Sequence, residues 1–196
     1  GQNETKFSYP ADLVVDKLGN IYVLDMGENA FVKKFNKDGM YLKKWGGRGK
    51  DNGKFFNSQG ITIDSNGFIY VSDPQSTGSS NSDGYQRVQK FDSDGNFIMK
   101  WGSEGSNEGE FIRPEGIGVD NENNIWIGDQ GNYRIQKFDS NGNFIKMFGE
   151  IDRNSCVWQC PDGVQYNTNG HFNKIRDVAI NPKNGKIYVT DKNTGV

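Results

Sequence analysis

Sixteen residues, Arg87 to Gly102, read RVQKFDSDGNFIMKWG; they return as RIQKFDSNGNFIKMFG from Arg134 and as FVKKFNKDGMYLKKWG from Phe31. In all three, the phenylalanine before the turn (Phe35, Phe91, Phe138) lies eleven residues ahead of the closing glycine (Gly46, Gly102, Gly149). Fixed spacing of this kind marks an internal repeat and not a compositional bias. Each copy reads as a β-hairpin. A strand with polar alternation runs to Phe-Asp or Phe-Asn, a tight Asp/Asn/Gly turn reverses the chain, and a second strand runs out to Trp-Gly or Phe-Gly.

A second half precedes each hairpin: ADLVVDKLGNIYVLD from Ala11, QGITIDSNGFIYVSD from Gln59, EGIGVDNENNIWIGD from Glu115 and RDVAINPKNGKIYVTD from Arg176. Asp16, Asp64 and Asp120 close the first strand nine residues before Asp25, Asp73 and Asp129 close the second, and Asn181 precedes Asp191 by ten. Phe7, Phe55, Phe111 and Phe172 each stand nine residues ahead of the first-strand end. The first two strands of a unit are nearly continuous in Ile, Val and Tyr, while the outer two alternate with Lys and Gln. Inner strands apolar on both faces and outer strands with one wet face describe a four-stranded blade stacked between two others. Ile21, Val23, Ile69, Val71, Ile125 and Ile127 should then face one neighbour, and Tyr22, Tyr70, Trp126 and Tyr188 the other, because successive side chains point to opposite sides.

These segments resemble the NHL repeat, whose pattern stands here as Gly60-Ile61-Thr62-Ile63-Asp64, Ile69-Tyr70-Val71-Ser72-Asp73 and Arg87 to Phe91. The expected fold is all-β: an incomplete, open β-propeller of four-stranded antiparallel blades. Blades are expected at 10–57, 58–113 and 114–174, with a partial blade at 175–196. The resemblance implies a ring of about six blades, so this chain is not expected to close one alone. Ile187, Tyr188 and Val189 should carry an unpaired edge and an apolar face, to be covered by further blades, a second copy or another protein.

Composition narrows the function. A net charge of −2 and pI near 5.5 argue against a broad phosphate-binding surface, and Glu104, Glu108, Glu110 and Glu115 crowd one inter-blade connection, so nucleic acid is disfavoured as a partner. No run approaches the 18 to 20 apolar residues that would cross a bilayer, so no membrane span is expected. Cys156 and Cys160 share the loop CVWQC. With His171 as the single histidine, a metal site lacks ligands and a local disulfide is the preferred reading, which favours an oxidising compartment. Asn3-Glu4-Thr5 fits the short glycosylation pattern and leans the same way, toward the cell exterior.

A meander puts the loop between strands two and three on the same rim as the connection to the next blade. Seventeen residues separate Asp73 from Phe91 where nine separate Asp25 from Phe35, and 22 separate Gly149 from Phe172 where eight separate Gly46 from Phe55. Long loops on a rigid scaffold are where recognition resides. The candidate binding residues of that rim are Tyr85, Arg87, Arg134, Trp158 and Tyr166. The alternative is that the loops are solvated decoration and that Trp158 and Tyr166 cap their own blade. The recurring Asp25, Asp73, Asp129 and Asp191 read as caps for their own loops. The turns Asp92–Asn96 and Asp139–Asn143 miss the EF-hand spacing for calcium, and Gly46–Gly53 matches no phosphate-binding loop. No catalytic residue, metal ligand or cofactor is expected from this segment. The expected function is a non-enzymatic binding or assembly module whose looped rim meets a protein or glycan. The resemblance also implies a rival, because some propellers of this kind are lyases that use channel histidines and metal, here supplied by blades outside the segment.

Overall fold

The structure is a computed structural model and describes residues 4–74, 85–149, 164–165, 172 and 174–191. Three four-stranded sheets follow one another along the chain, each an antiparallel meander in sequence order: β1 (Pro10–Val15) to β4 (Tyr41–Gly46), with β2 (Ile21–Asp25) and β3 (Phe31–Phe35) between; β5 (Gly60–Ile63), β6 (Ile69–Pro74), β7 (Gln86–Phe91) and β8 (Phe97–Trp101); and β9 (Pro114–Val119), β10 (Ile125–Asp129), β11 (Arg134–Phe138) and β12 (Phe144–Phe148). Outer hairpins close as the sequence implies. In the second sheet the Asp92 carboxylate accepts the Asp94 and Asn96 N–H groups at 2.9 Å while Gly95, at φ +82°, donates to the Asp92 carbonyl. Asp139 holds the next turn in the same way.

The sheets stack face to face, and alternation along the second strand decides which side chain meets which neighbour. Tyr22, Leu24 and Val32 of the first sheet bury against Ile61, Ile69, Val71 and Phe91 of the second. Tyr70 and Val88 of the second bury against Ile117, Ile125, Ile127 and Phe138 of the third, and Trp126 and Ile135 of the third against Ile175, Val178 and Ile187. Phe55 and Phe111 wedge between sheets with no exposed surface. Each buried side chain of this size contributes roughly 1.5–3 kcal/mol, so the faces between sheets carry most of the stability.

Polar latches repeat across the same faces. The Tyr70 hydroxyl donates to Asp64 at 2.9 Å, the Lys90 ammonium lies over the Tyr70 ring at 5.2 Å, and Lys90 donates 2.7 Å to the Ser140 carbonyl in the next sheet's hairpin. Tyr22, Asp16, Lys34 and Ser93 repeat the arrangement one sheet earlier. In the third sheet Lys137 turns back onto Asp120 at 2.9 Å over the Trp126 ring. Burial pushes the Asp120 carboxyl up, but hydrogen bonds from Lys137, Trp126 and Asn124 overcome it and hold it below its ordinary value. At the periphery Trp45 lies on Gly95 and Trp101 on Gly142, so close that a Cβ there would fall 2.3 and 2.8 Å from the indole.

The fourth sheet departs from expectation in one respect. β14 (Ile175–Ile180) and β15 (Ile187–Asp191) pair as the inner strands of a blade, but the far edge of β15 is not left open. Val164 and Gln165 form β13, which pairs in parallel with Ile187 and Tyr188. A free strand edge presents unpaired N–H and C=O groups, and a stretch of the preceding connection meets that demand over two residues. Tyr188 is still 42% exposed, where its equivalents Tyr22 and Tyr70 are fully buried.

Candidate functional site

The inner strand pairs of the second and third sheets end in the same clasp on the rim that carries the connections between sheets. Asp73, fully buried, accepts the N–H groups of Phe56 and Asn57, the Ser58 hydroxyl at 2.9 Å and Arg87 Nε at 3.0 Å. The other Arg87 nitrogens donate to the Lys50 and Lys54 carbonyls. Asp129 repeats this with Ile112, Asn132, Gln136 and Arg134, whose guanidinium reaches the carbonyls of Ser106, Asn107 and Glu110. One aspartate thus ties the incoming connection to the ends of strands two and three. Burial pushes both carboxyls up, with the arginine charge and the donated hydrogen bonds pulling against it.

The first sheet solves the same problem with different residues. Phe31 stands where Arg87 and Arg134 stand, and Lys33 replaces Gln89 and Gln136. Lys33 Nζ lies 2.8 Å from Asp25 and also donates to the Lys6 carbonyl, equivalent to Lys54 and Glu110. The cation has moved two residues along the strand and the charge pairing is kept.

The expected binding residues therefore separate. Arg87 and Arg134 are buried and committed to the clasps, so neither guanidinium is offered at the surface. Tyr85 is half-buried and receives Lys50 Nζ and Arg87 Cζ on its ring at 5.2 and 5.4 Å. Asn3, Cys156, Cys160, Trp158, Tyr166 and His171 lie outside the described residues, and so does the side chain of Asp191. The roots of both long connections are described. Pro74 pairs with Gln86 at the clasp end of the second sheet, β12 ends at the clasp end of the third, and Gln130 Nε2 donates to the Ile175 carbonyl where the chain re-enters. Both insertions leave from one rim.

On that rim, where the inner strands approach the propeller axis, the copies disagree. Equivalent positions hold Ala11, Gln59, Glu115 and Arg176, and two residues earlier Tyr9, Asn57, Arg113 and Lys174. Glu115 is 4% exposed and its two carboxylate oxygens are taken by Arg113 Nη2, just ahead of its own strand, at 3.2 Å and by Arg176 Nη1 of the fourth sheet at 2.8 Å. Arg113 adopts a left-handed φ of +57°, rare for a residue with a side chain. Its N–H donates to Gln86 Oε1 and its carbonyl accepts the Gln130 N–H. In the sequence Glu115 stands out only as part of an acidic stretch, and neither arginine stands out as a site residue. The signal available was that this position changes in every copy.

The opposite rim carries tight turns and one open groove of about 540 Å³ between the first two sheets, lined by Val15, Lys17, Leu18, Ile63 and Asn66 among others. Among the described residues no group of three or more Asp, Glu, His or Cys side chains is placed to hold a metal, and no helix is long and apolar enough to cross a membrane.

Comparison with known proteins agrees with the geometry. Residues 7–35 match the NHL repeat. NHL repeat-containing protein 3 of Homo sapiens is 33% identical over 110 residues, 55% of this chain and 29% of that protein; the Mus musculus protein is 33% identical over 104 residues, 52% and 27%. The chain thus spans under a third of the curated relatives it matches. Among solved structures, a gluconolactonase of Xanthomonas campestris superposes with a TM-score of 0.58 at 16% identity, covering 95% of this chain and 55% of that one. A streptogramin B lyase superposes with a TM-score of 0.55 at 20% identity, covering 91% and 61%. The family model described as a 6-bladed β-propeller matches residues 83–196, more than half of the sequence: this chain belongs to the 6-bladed β-propeller family and carries NHL repeats.

Proposed function

We propose that the chain is a non-enzymatic binding module of the cell exterior that presents its loop-bearing rim to a protein or glycan partner. One observation carries the reading: both long insertions are rooted on the rim where the axial residues diverge, while the other rim has only short turns. Stacked sheets with repeated clasps make a stiff platform, and variable loops on such a platform recognise ligands. Trp158 and Tyr166 in the longer loop, stiffened by a Cys156–Cys160 disulfide, and Tyr85 at the base of the shorter one are the proposed contacts. Arg87 and Arg134 act as their supports.

The test uses the native protein on a glycan array and in pull-down from extracellular fractions, beside a variant in which 152–168 is shortened to the span used in the first two connections. The reading expects binding to drop at least about tenfold in the shortened variant and in W158A/Y166A, in line with truncating aromatic anchors. Unchanged binding in both would remove the rim from consideration. Intact mass would report an oxidised cysteine pair and a glycan on Asn3 if the protein is exported. A second reading, part of a metal-dependent lyase or hydrolase, is motivated by solved neighbours named a gluconolactonase and a streptogramin B lyase, with the metal an addition of this reading. Stoichiometric metal in the native protein, by elemental analysis, would favour it.

A further inference from the structure

We infer that Arg113 and Arg176, joined through Glu115, form a subsite for the carboxylate of an acidic sugar at the axial end of the loop-bearing rim; this rests on the proposed binding role of that rim. Charge is the first reason. Asp73 and Asp129 each meet one arginine, whereas Glu115 meets two guanidinium groups. The pair is accessible. The Arg113 and Arg176 side chains are 39% and 42% exposed, and among the described residues each guanidinium makes no hydrogen bond beyond its one to Glu115. The free N–H edges of two guanidinium groups, oriented by one buried carboxylate, suit a planar anion that accepts paired hydrogen bonds.

Backbone geometry is the second reason. Arg113 is strained at φ +57°, while its equivalents Tyr9 and Asn57 show no positive φ. Strain of this kind persists where the surroundings impose it, and it clusters at ligand clamps. Here the Gln86 and Gln130 hydrogen bonds fix Arg113 from both sides.

The neighbouring positions favour a sugar. The equivalent positions ahead of the first two sheets hold Tyr9, 63% exposed, and the half-buried Asn57 and Gln59. An open aromatic ring on one inner strand and amides at the equivalent positions of the next suit stacking and hydroxyl recognition. The acids one position along, Asp12 and Asp177, turn their oxygens to backbone N–H groups, Leu13 and Ile61 for the first and Val178 for the second, so the anion's hydrogen bonds come from the two guanidinium groups alone.

Calorimetric titration of the native protein with galacturonate, galactose and an N-acetyl-glutamate peptide tests the assignment, with R113Q, R176Q and the charge-conserving R176K compared after their melting temperatures are matched. Galacturonate should bind at least about tenfold tighter than galactose, weaken with salt, lose at least about tenfold in R113Q and R176Q, and be partly restored in R176K. Galacturonate binding no tighter than galactose, or unchanged in both glutamine variants, would overturn the subsite. Binding of the peptide in its place would overturn the sugar assignment. If galacturonate fails while the shortened 152–168 variant still loses its array or pull-down partner, only this inference falls; if that partner binding is also unaffected, the rim reading falls with it.

Discussion

At the residue scale, Lys33 shows what the repeat conserves. Strand position matters less than placing one cation against the buried aspartate at the end of strand two, and the first sheet does so from a different residue with Phe31 left in the arginine's place. Lys33→Gln, which installs the residue of the other two sheets, should therefore cost about 3 kcal/mol by leaving Asp25 buried without a counter-charge. Adding Phe31→Arg should recover most of that loss by recreating the Arg87 arrangement. Urea unfolding of both variants checks this, and a K33Q chain as stable as the parent would contradict the clasp. The same logic explains what the sequence could not reveal about Arg87 and Arg134. Their proximity to a loop was visible, but their carbonyl partners, Lys50 and Lys54 or Ser106, Asn107 and Glu110, belong to the connection from the preceding sheet.

At the scale of elements, the outer hairpin tells covered flanks from uncovered ones. Gly39 and Gly95 occupy equivalent turns with φ near +80°, yet a Cβ on Gly95 would meet Trp45 at 2.3 Å and one on Gly39 would meet nothing within 4 Å. Gly39→Ala should cost only the left-handed backbone term, about 1 kcal/mol, and Gly95→Ala a further 1–3 kcal/mol, by the general cost of overpacking. Equal losses in the 196-residue chain, by denaturant titration, would mean that the hairpin does not pack on its neighbour as described. In a longer native protein whose ring covers the first sheet, the two substitutions should converge. Hairpins and inner strands were legible in the sequence because period-two patterning and Asx-type turns are local signals. The pairing of Val164–Gln165 along β15 was not, because it depends on an edge left free by a strand elsewhere.

For the whole molecule, repetition made the architecture readable from the sequence. Any residue found in every copy was assignable to the scaffold, and the alternation of Tyr22, Tyr70 and Trp126 against Ile69, Val71, Ile125 and Ile127 follows the expected faces. The candidate site was harder to read for the converse reason. Arg113 and Glu115 lie two residues apart at the start of β9, but Arg176 comes from the fourth sheet and joins them only when inner strands converge on the axis, so no spacing in the chain announces the group. The central claim is that ligand chemistry sits on the rim where the copies differ and not in the groove among the conserved turns of the opposite rim. Backbone amide shifts of the native protein titrated with galacturonate test it most directly. The account predicts perturbations at Ile112, Arg113, Glu115, Gly116 and residues 174–177; perturbations confined to 17–20 and 65–67, or none at all, would contradict it.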